Sequence, residues 1–236
     1  PSSVFQRTPG FDIRKPETFV PKTFGLIRNI PELEEAVLDK NGGIRNGGLG
    51  MLSLLPEPDG ITRRVPAFMN FVTAPTKEGK PPRQTLYAAL SLEMLRVAFG
   101  RPMIAAWSDP FGITRVDLTP TLKVTTDTTG RMWPYFSRSD KSKYISAKDV
   151  LSGKVPLAKL RGKLAIVGTS ALGLLDIKTI PTERFIPGVE VHAQLMETIL
   201  NKTYLNRRIA IEGSNFPIDL NTAEFLLALI GGLLMI

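Results

Sequence analysis

The sequence predicts an α/β domain: a mixed, twisted sheet with helices packed against it. Three observations lead there. Residues 103–137 divide into short β-prone pieces, "MIAAW", "GITRVDL" and "LKVTTD", separated by turn residues in the pattern of a β meander. Two segments, 85–100 and 187–200, carry apolar residues at helical spacing, bounded by Gly or Pro. A chain of 236 residues with 43% hydrophobic and 22% charged side chains can also bury a substantial core.

Residues 1–30 are proline-rich and aperiodic, and they are expected to lie as an extended arm over the surface. "PELEEAVLDK" (31–40) opens on Pro, places Glu32, Glu34 and Glu35 where the N-terminal helix dipole favours them, and stops at Asn41-Gly42-Gly43, so a short helix is predicted. Arm and helix make up 1–48, ahead of a core at 49–210. Within 48–68 an apolar run, the turn Pro58-Asp59-Gly60 and a β-prone segment signal a hairpin, in which Ile61, Arg63 and Val65 share one face and Thr62, Arg64 and Pro66 the other.

"TLYAALSLEMLRVAFG" reads as a helix over 85–100, with Leu86, Leu90, Met94 and Val97 on one stripe and Gly100 as its stop. The meander and "RMWPYFS" follow. In "YISAKDVLSGKVP", Ser146 is a candidate N-cap, 148–151 one helical turn and Gly153 its end. "LRGKLAIVG" reads as a short buried strand, and 187–200 as a helix with Glu190 in its first turn. From Phe225 the run "FLLALIGGLLMI" carries no charge, whereas a spanning helix needs about 20 apolar residues. Residues 221–236 are therefore read as the start of a transmembrane helix, with a buried C-terminal helix as the alternative. The opening "PSSVFQRTPG" has neither an initiator Met nor a signal core, so the natural N-terminus is expected upstream.

The chemistry is bounded as tightly by what is scarce. The absence of cysteine removes disulfides, thiolate metal sites and cysteine nucleophiles, and a single histidine argues against an imidazole metal centre. No metal and no cofactor are expected. The net charge of +8 is spread over scattered pairs such as Arg63-Arg64 and Arg207-Arg208, so nucleic acid is not an expected partner. Gly168 and Gly173 have P-loop spacing, but Leu174 and Leu175 stand where Lys and Ser or Thr would hold phosphate and magnesium. Thr169 and Ser170 sit in no nucleophile elbow, and no catalytic residue is assigned.

His192 shares an apolar face with Leu195, Met196 and Ile199, and a core histidine there needs a partner. The carboxylate of Asp176, in the preceding loop, is the natural one, as a structural contact or as part of a ligand pocket. Arg63 and Arg64, as strand neighbours, point to opposite faces, so one reaches inward, either to loop carbonyls or to an anion. Trp133 and Tyr135 occupy alternate strand positions, in the core or as a ligand platform. Arg64, Tyr135, Asp176 and His192 form the candidate ligand-binding set.

Taken in order, "PEPDGITRRVPAF", "TLYAALSLEMLRV", "TTDTTGRMWPYFS", "YISAKDVLSGKVP", "LRGKLAIVGTSALGLLDIKTIP" and "PGVEVHAQLMETIL" resemble the type-2 CHASE domain from about Leu49 to Tyr204. The resemblance implies an extracytoplasmic (periplasmic) sensor in the cell membrane, set after one membrane helix and before usually three more. An adenylate or guanylate cyclase, a histidine kinase or a serine/threonine kinase would lie on the cytoplasmic side. "RRVPAF" and "PGVEVHAQ" are most similar to the versions attached to bacterial class III cyclases. The resemblance further implies a homodimer, no turnover by this segment, and an unknown small molecule or periplasmic protein as partner; exposed residues of the 85–100 helix or the arm are the interface candidates. A small α/β enzyme and a solute-binding protein are the rival readings.

Overall fold

The computed structural model describes residues 4–6, 11–12, 20–25, 27, 29–37, 48–73, 83–100, 102–109, 112–169, 176–205, 208–209 and 218–219. The chain divides into two units, Pro1–Tyr204 and Leu205–Ile236.

The first unit is built on two sheets. Three strands, β1 (Val4–Gln6), β2 (Phe11–Asp12) and β3 (Lys22–Thr23), come from the first thirty residues, and α1 (Pro31–Val37) is next. Then come β4 (Gly50–Met51), β5 (Val65–Pro66), β6 (Phe68–Val72) and β7 (Arg83–Ala89), which runs straight into α2 (Leu90–Ala98). The first sheet has the order β1-β7-β6-β3, with β4 also on β7; β6 and β7 are antiparallel, and β1, β3 and β4 join in parallel. The second sheet is the meander of β8 (Ile104–Asp109), β9 (Gly112–Asp117) and β10 (Lys123–Thr125), with β2 added parallel to β8. The arm is thus threaded into both sheets as edge strands and is not simply laid over them.

The 85–100 segment departs from its predicted helix. Residues 83–89 form a strand because β6 offers a full antiparallel partner, from Phe68 against Ala88 to Val72 against Gln84. Gln84, Leu86 and Ala88 are buried alternately, the period of a strand. The helix that remains buries Ser91, Leu92, Leu95 and Arg96, not the stripe through Leu90, Met94 and Val97. Its interior face is therefore closed to any partner.

In the hairpin segment the turn forms, with Gly60 N–H donating to Glu57 O at 2.8 Å, yet its arms do not pair along their length. Ile61 bridges to Thr179, and β5 pairs instead with β11 (Arg131–Met132). Two short helices come next, α3 (Ala147–Leu151) and α4 (Leu157–Leu160); Ser146 stands at the N-cap position of the first, as predicted, but its side chain makes no capping hydrogen bond. Residues 163–169 form no strand among the described residues; Leu164 and Val167 are exposed, and "LAIVG" has β propensity without a partner. The unit closes with the antiparallel pair β12 (Ile177–Lys178) and β13 (Ile186–Pro187) and with α5 (Gly188–Asn201), whose C-cap Lys202 is left-handed.

The core joins sheet and helices through Phe68, Leu92, Leu95, Ile113, Leu195 and Ile199, and α2 packs against α5. In the second unit β14 (Arg208–Ile209) pairs antiparallel with β15 (Ile218–Asp219). The apolar run at 221–236 and loop residues 170–175 lie outside the described residues, among which no helix is long and apolar enough to cross a membrane.

Candidate functional site

Arg64 is the centre of an ion network. Its Nε donates to Glu57 Oε1 at 2.7 Å and its Nη1 to Asp127 Oδ2 at 2.9 Å, while its guanidinium carbon lies 5.0 Å from the Trp133 ring centroid. Arg63 takes the other oxygen of Glu57 at 3.0 Å, so the two arginines do not separate to inside and outside but share one carboxylate. Burial works to raise the Asp127 carboxyl, but amide and hydroxyl donors at Arg131 and Thr129, with the charges of Arg131 and Arg64, hold it below the ordinary carboxylate value. Two donor positions of Arg64 are therefore committed to carboxylates of this chain.

The most extensive polar arrangement runs along α5. Glu190, Gln194 and Thr198 recur every fourth residue, so they form one buried polar stripe on a helix that also packs Val191, Leu195 and Ile199 into the core. An extended stretch of chain lies along this stripe in the opposite direction. Tyr135 N–H donates to Thr198 Oγ1 at 2.9 Å, Ser137 N–H to Gln194 Oε1 at 3.0 Å, and Ser139 Oγ to Glu190 Oε2 at 2.8 Å. The registers match for a geometric reason: two extended residues advance about 6.6 Å and four helical residues about 6.0 Å. Glu190 also accepts from the Tyr144 hydroxyl and, at 3.0 Å, from Gln194 Nε2. Burial and the bond to Glu190 push the Tyr144 phenol up to about 12, so it stays a donor. Lys143 to Glu197, at 2.6 Å, adds an outer ion pair.

Tyr135 enters this seam by its backbone, and its ring is exposed. No hydrogen bond joins any two of Arg64, Tyr135, Asp176 and His192 among the described residues.

The contact predicted between Asp176 and His192 does not form. His192 Nε2 faces Leu52 O at 3.3 Å, Nδ1 is buried without a hydrogen-bond partner, and Asp176 pairs with Lys178 at 3.4 Å. The carboxylate is held one helical turn too early: Gly188 N–H donates to Asp176 O at 2.8 Å, and a Cβ on Gly188 would fall 2.2 Å from Asp176 Oδ1. Burial lowers the imidazole pKa, against the opposing effects of the Leu52 carbonyl and the Asp176 charge. His192 is thus neutral when folded near pH 7.

A pH effect results, with a definite sign. The unfolded chain takes up the proton first, so this contribution to stability is full above the unfolded value of 6.5 and is lost as pH falls toward the lower folded value. Because His192 is the sole histidine, the window between about pH 5 and 7 is nearly its own. The urea midpoint of the wild type should fall across that window and that of His192→Gln should not; parallel slopes would exclude the effect.

Nearly the whole chain, residues 6–235, matches the CHASE2 domain. The chain belongs to the CHASE2 family. These are extracytoplasmic sensor domains, so the sensory role comes with membership. No curated protein and no solved structure matches it. The match extends well beyond the resemblance read from Leu49 to Tyr204 and takes in the edge strands β2 and β3. Among its described residues, the CHASE2 domain has no group of three or more His, Cys, Asp or Glu that could hold a metal.

The seam of this CHASE2 domain on α5 escapes a search for reactive residues. A signal for it exists in the sequence: Glu190, Gln194 and Thr198 at i, i+4 and i+8 are polar interruptions of an apolar helix, and such a buried stripe must find partners.

Proposed function

We propose that this CHASE2 domain is the input of a membrane-bound signalling protein with an adenylate or guanylate cyclase as its output, working as a homodimer and turning over no substrate of its own. The observation that supports this most is the seam between 135–139 and α5. The helix is the last element of the first unit, which ends at Tyr204, and it is gripped on adjoining faces by the core and by an extended segment. A ligand or partner protein that pulls on the segment shifts the helix where the chain leaves the unit. The similarity of "RRVPAF" and "PGVEVHAQ" to cyclase-linked versions favours the cyclase over a kinase.

Thr198→Val removes the acceptor of Tyr135 N–H while keeping side-chain shape. A bias of about one to two kcal/mol shifts a two-state equilibrium about five- to thirtyfold. Cyclic nucleotide formation by membranes bearing the full-length protein should change several-fold in this variant. Membranes that make no cyclic nucleotide above background remove the cyclase assignment. Unaltered output from a folded Thr198→Val protein removes the seam as transmitter.

A further inference from the structure

We infer that residues 148–167 form a surface that docks on an anionic phospholipid bilayer. This stretch contains Lys148, Lys154, Lys159, Arg161 and Lys163 against the single acid Asp149, and all five cations are exposed. None of them has an ion-pair partner among the described residues, unlike Arg63, Arg64, Arg96, Arg115 and Arg131 elsewhere in the unit. Between these cations stand apolar side chains that folding leaves in water: Leu151 at 88% exposure, Leu157 at 65% and Val167 at 90%. A soluble surface seldom interleaves unpaired lysines with so much exposed leucine and valine. At a bilayer surface the two kinds cooperate: apolar side chains enter the acyl boundary while lysine stems extend their charges to the phosphates.

Charge decides among possible occupants. A second copy meeting this face symmetrically would set lysines against lysines. A single-stranded nucleic acid would be met by stacking aromatics, and there is none between Tyr144 and Phe185. An anionic leaflet satisfies both cation and leucine, and an extracytoplasmic sensor works beside one.

The absence of cysteine makes the test direct, because Leu151→Cys carries a single environment-sensitive dye on the 236-residue chain. Thr121→Cys, exposed between β9 and β10, is the control for adsorption through any other part, including the apolar C-terminal run. With phosphatidylglycerol vesicles the dye at 151 should shift to the blue, the dye at 121 should not, and added salt should reverse the shift. Each neutralised lysine costs about fivefold in partitioning, so Lys154→Gln with Lys159→Gln and Lys163→Gln should weaken it about a hundredfold. An equal shift on phosphatidylcholine, an equal shift at position 121, no shift at all, or a shift that grows with protein concentration without vesicles would each overturn the assignment, the last in favour of self-association.

Discussion

Replacing Arg96 with methionine is expected to destabilise the domain by about 3–5 kcal/mol, the range for stranding one member of a buried ion pair. Glu93 and Arg96 lie one turn apart on α2, both almost wholly buried at 4% and 5% exposure. The guanidinium grips the carboxylate at two points, Nε to Oε2 at 2.8 Å and Nη2 to Oε1 at 2.6 Å. Gly48 closes the site from the other side, since a Cβ there would stand 1.7 Å from Glu93 Oε1. Without Arg96 the carboxylate has neither water nor a cation to answer it. Methionine keeps the apolar contacts of the arginine stem, so the loss reports the charge. The double variant Glu93→Leu with Arg96→Met should recover to within about 1 kcal/mol of wild type or exceed it, because the desolvation cost disappears with the pair. Urea unfolding of the three proteins measures this. A single variant that loses less than about 1 kcal/mol would mean that water reaches the pair in solution.

How much of each element the sequence disclosed depends on the range over which that element is decided. The meander, α1, α3 and α5 rest on local signals, a turn, a cap or a periodic stripe, and they stand close to where those signals put them. The strand β7 could not be separated from a helix locally: Leu86 and Leu90 fit a helical repeat, while Gln84, Leu86 and Ala88 fit a strand, and the pairing with β6 decides. The edge strands β1, β2 and β3 are two or three residues long, too short to carry any period. "LAIVG" shows the converse, strong β propensity with no ladder. The sites divide in the same way. The place of Arg64 just after the turn is legible, although β5 begins only at Val65, whereas its partner Asp127, 63 residues away, is not. The contact expected between Asp176 and His192 fails by one turn of helix, because Asp176 is held beside Gly188, four residues before His192, and a spacing argument does not resolve that distance. The stripe on α5 was legible in principle, and its partners at 135–139 were not.

The second large effect is expected at Glu190, where leucine should cost about 3 kcal/mol and loosen α5 from its extended partner. This carboxylate answers Ser139, Tyr144 and Gln194 together, and bonds to a charged group contribute about 1.5–3 kcal/mol each when they cannot be replaced. The three donors fare differently once the carboxylate is gone. The Ser139 and Tyr144 hydroxyls lie near solvent and can turn to water, which discounts them, whereas Gln194 is 5% exposed and its amide must remain in the interior. The expected cost is therefore nearer to one unreplaced bond and a fraction of two others than to the full sum. Glu190→Gln separates charge from shape: it retains an acceptor oxygen and the side-chain volume, and should cost about 1 kcal/mol. The order wild type, Gln, Leu in urea midpoint tests the energetics. Amide hydrogen exchange tests the mechanism, because a seam that acts as a unit should lose protection at Tyr135 and Ser137 in Glu190→Leu although neither amide touches Glu190. If those amides stay protected, the three rungs are independent bonds and a pull on residues 135–139 has no concerted path to the helix.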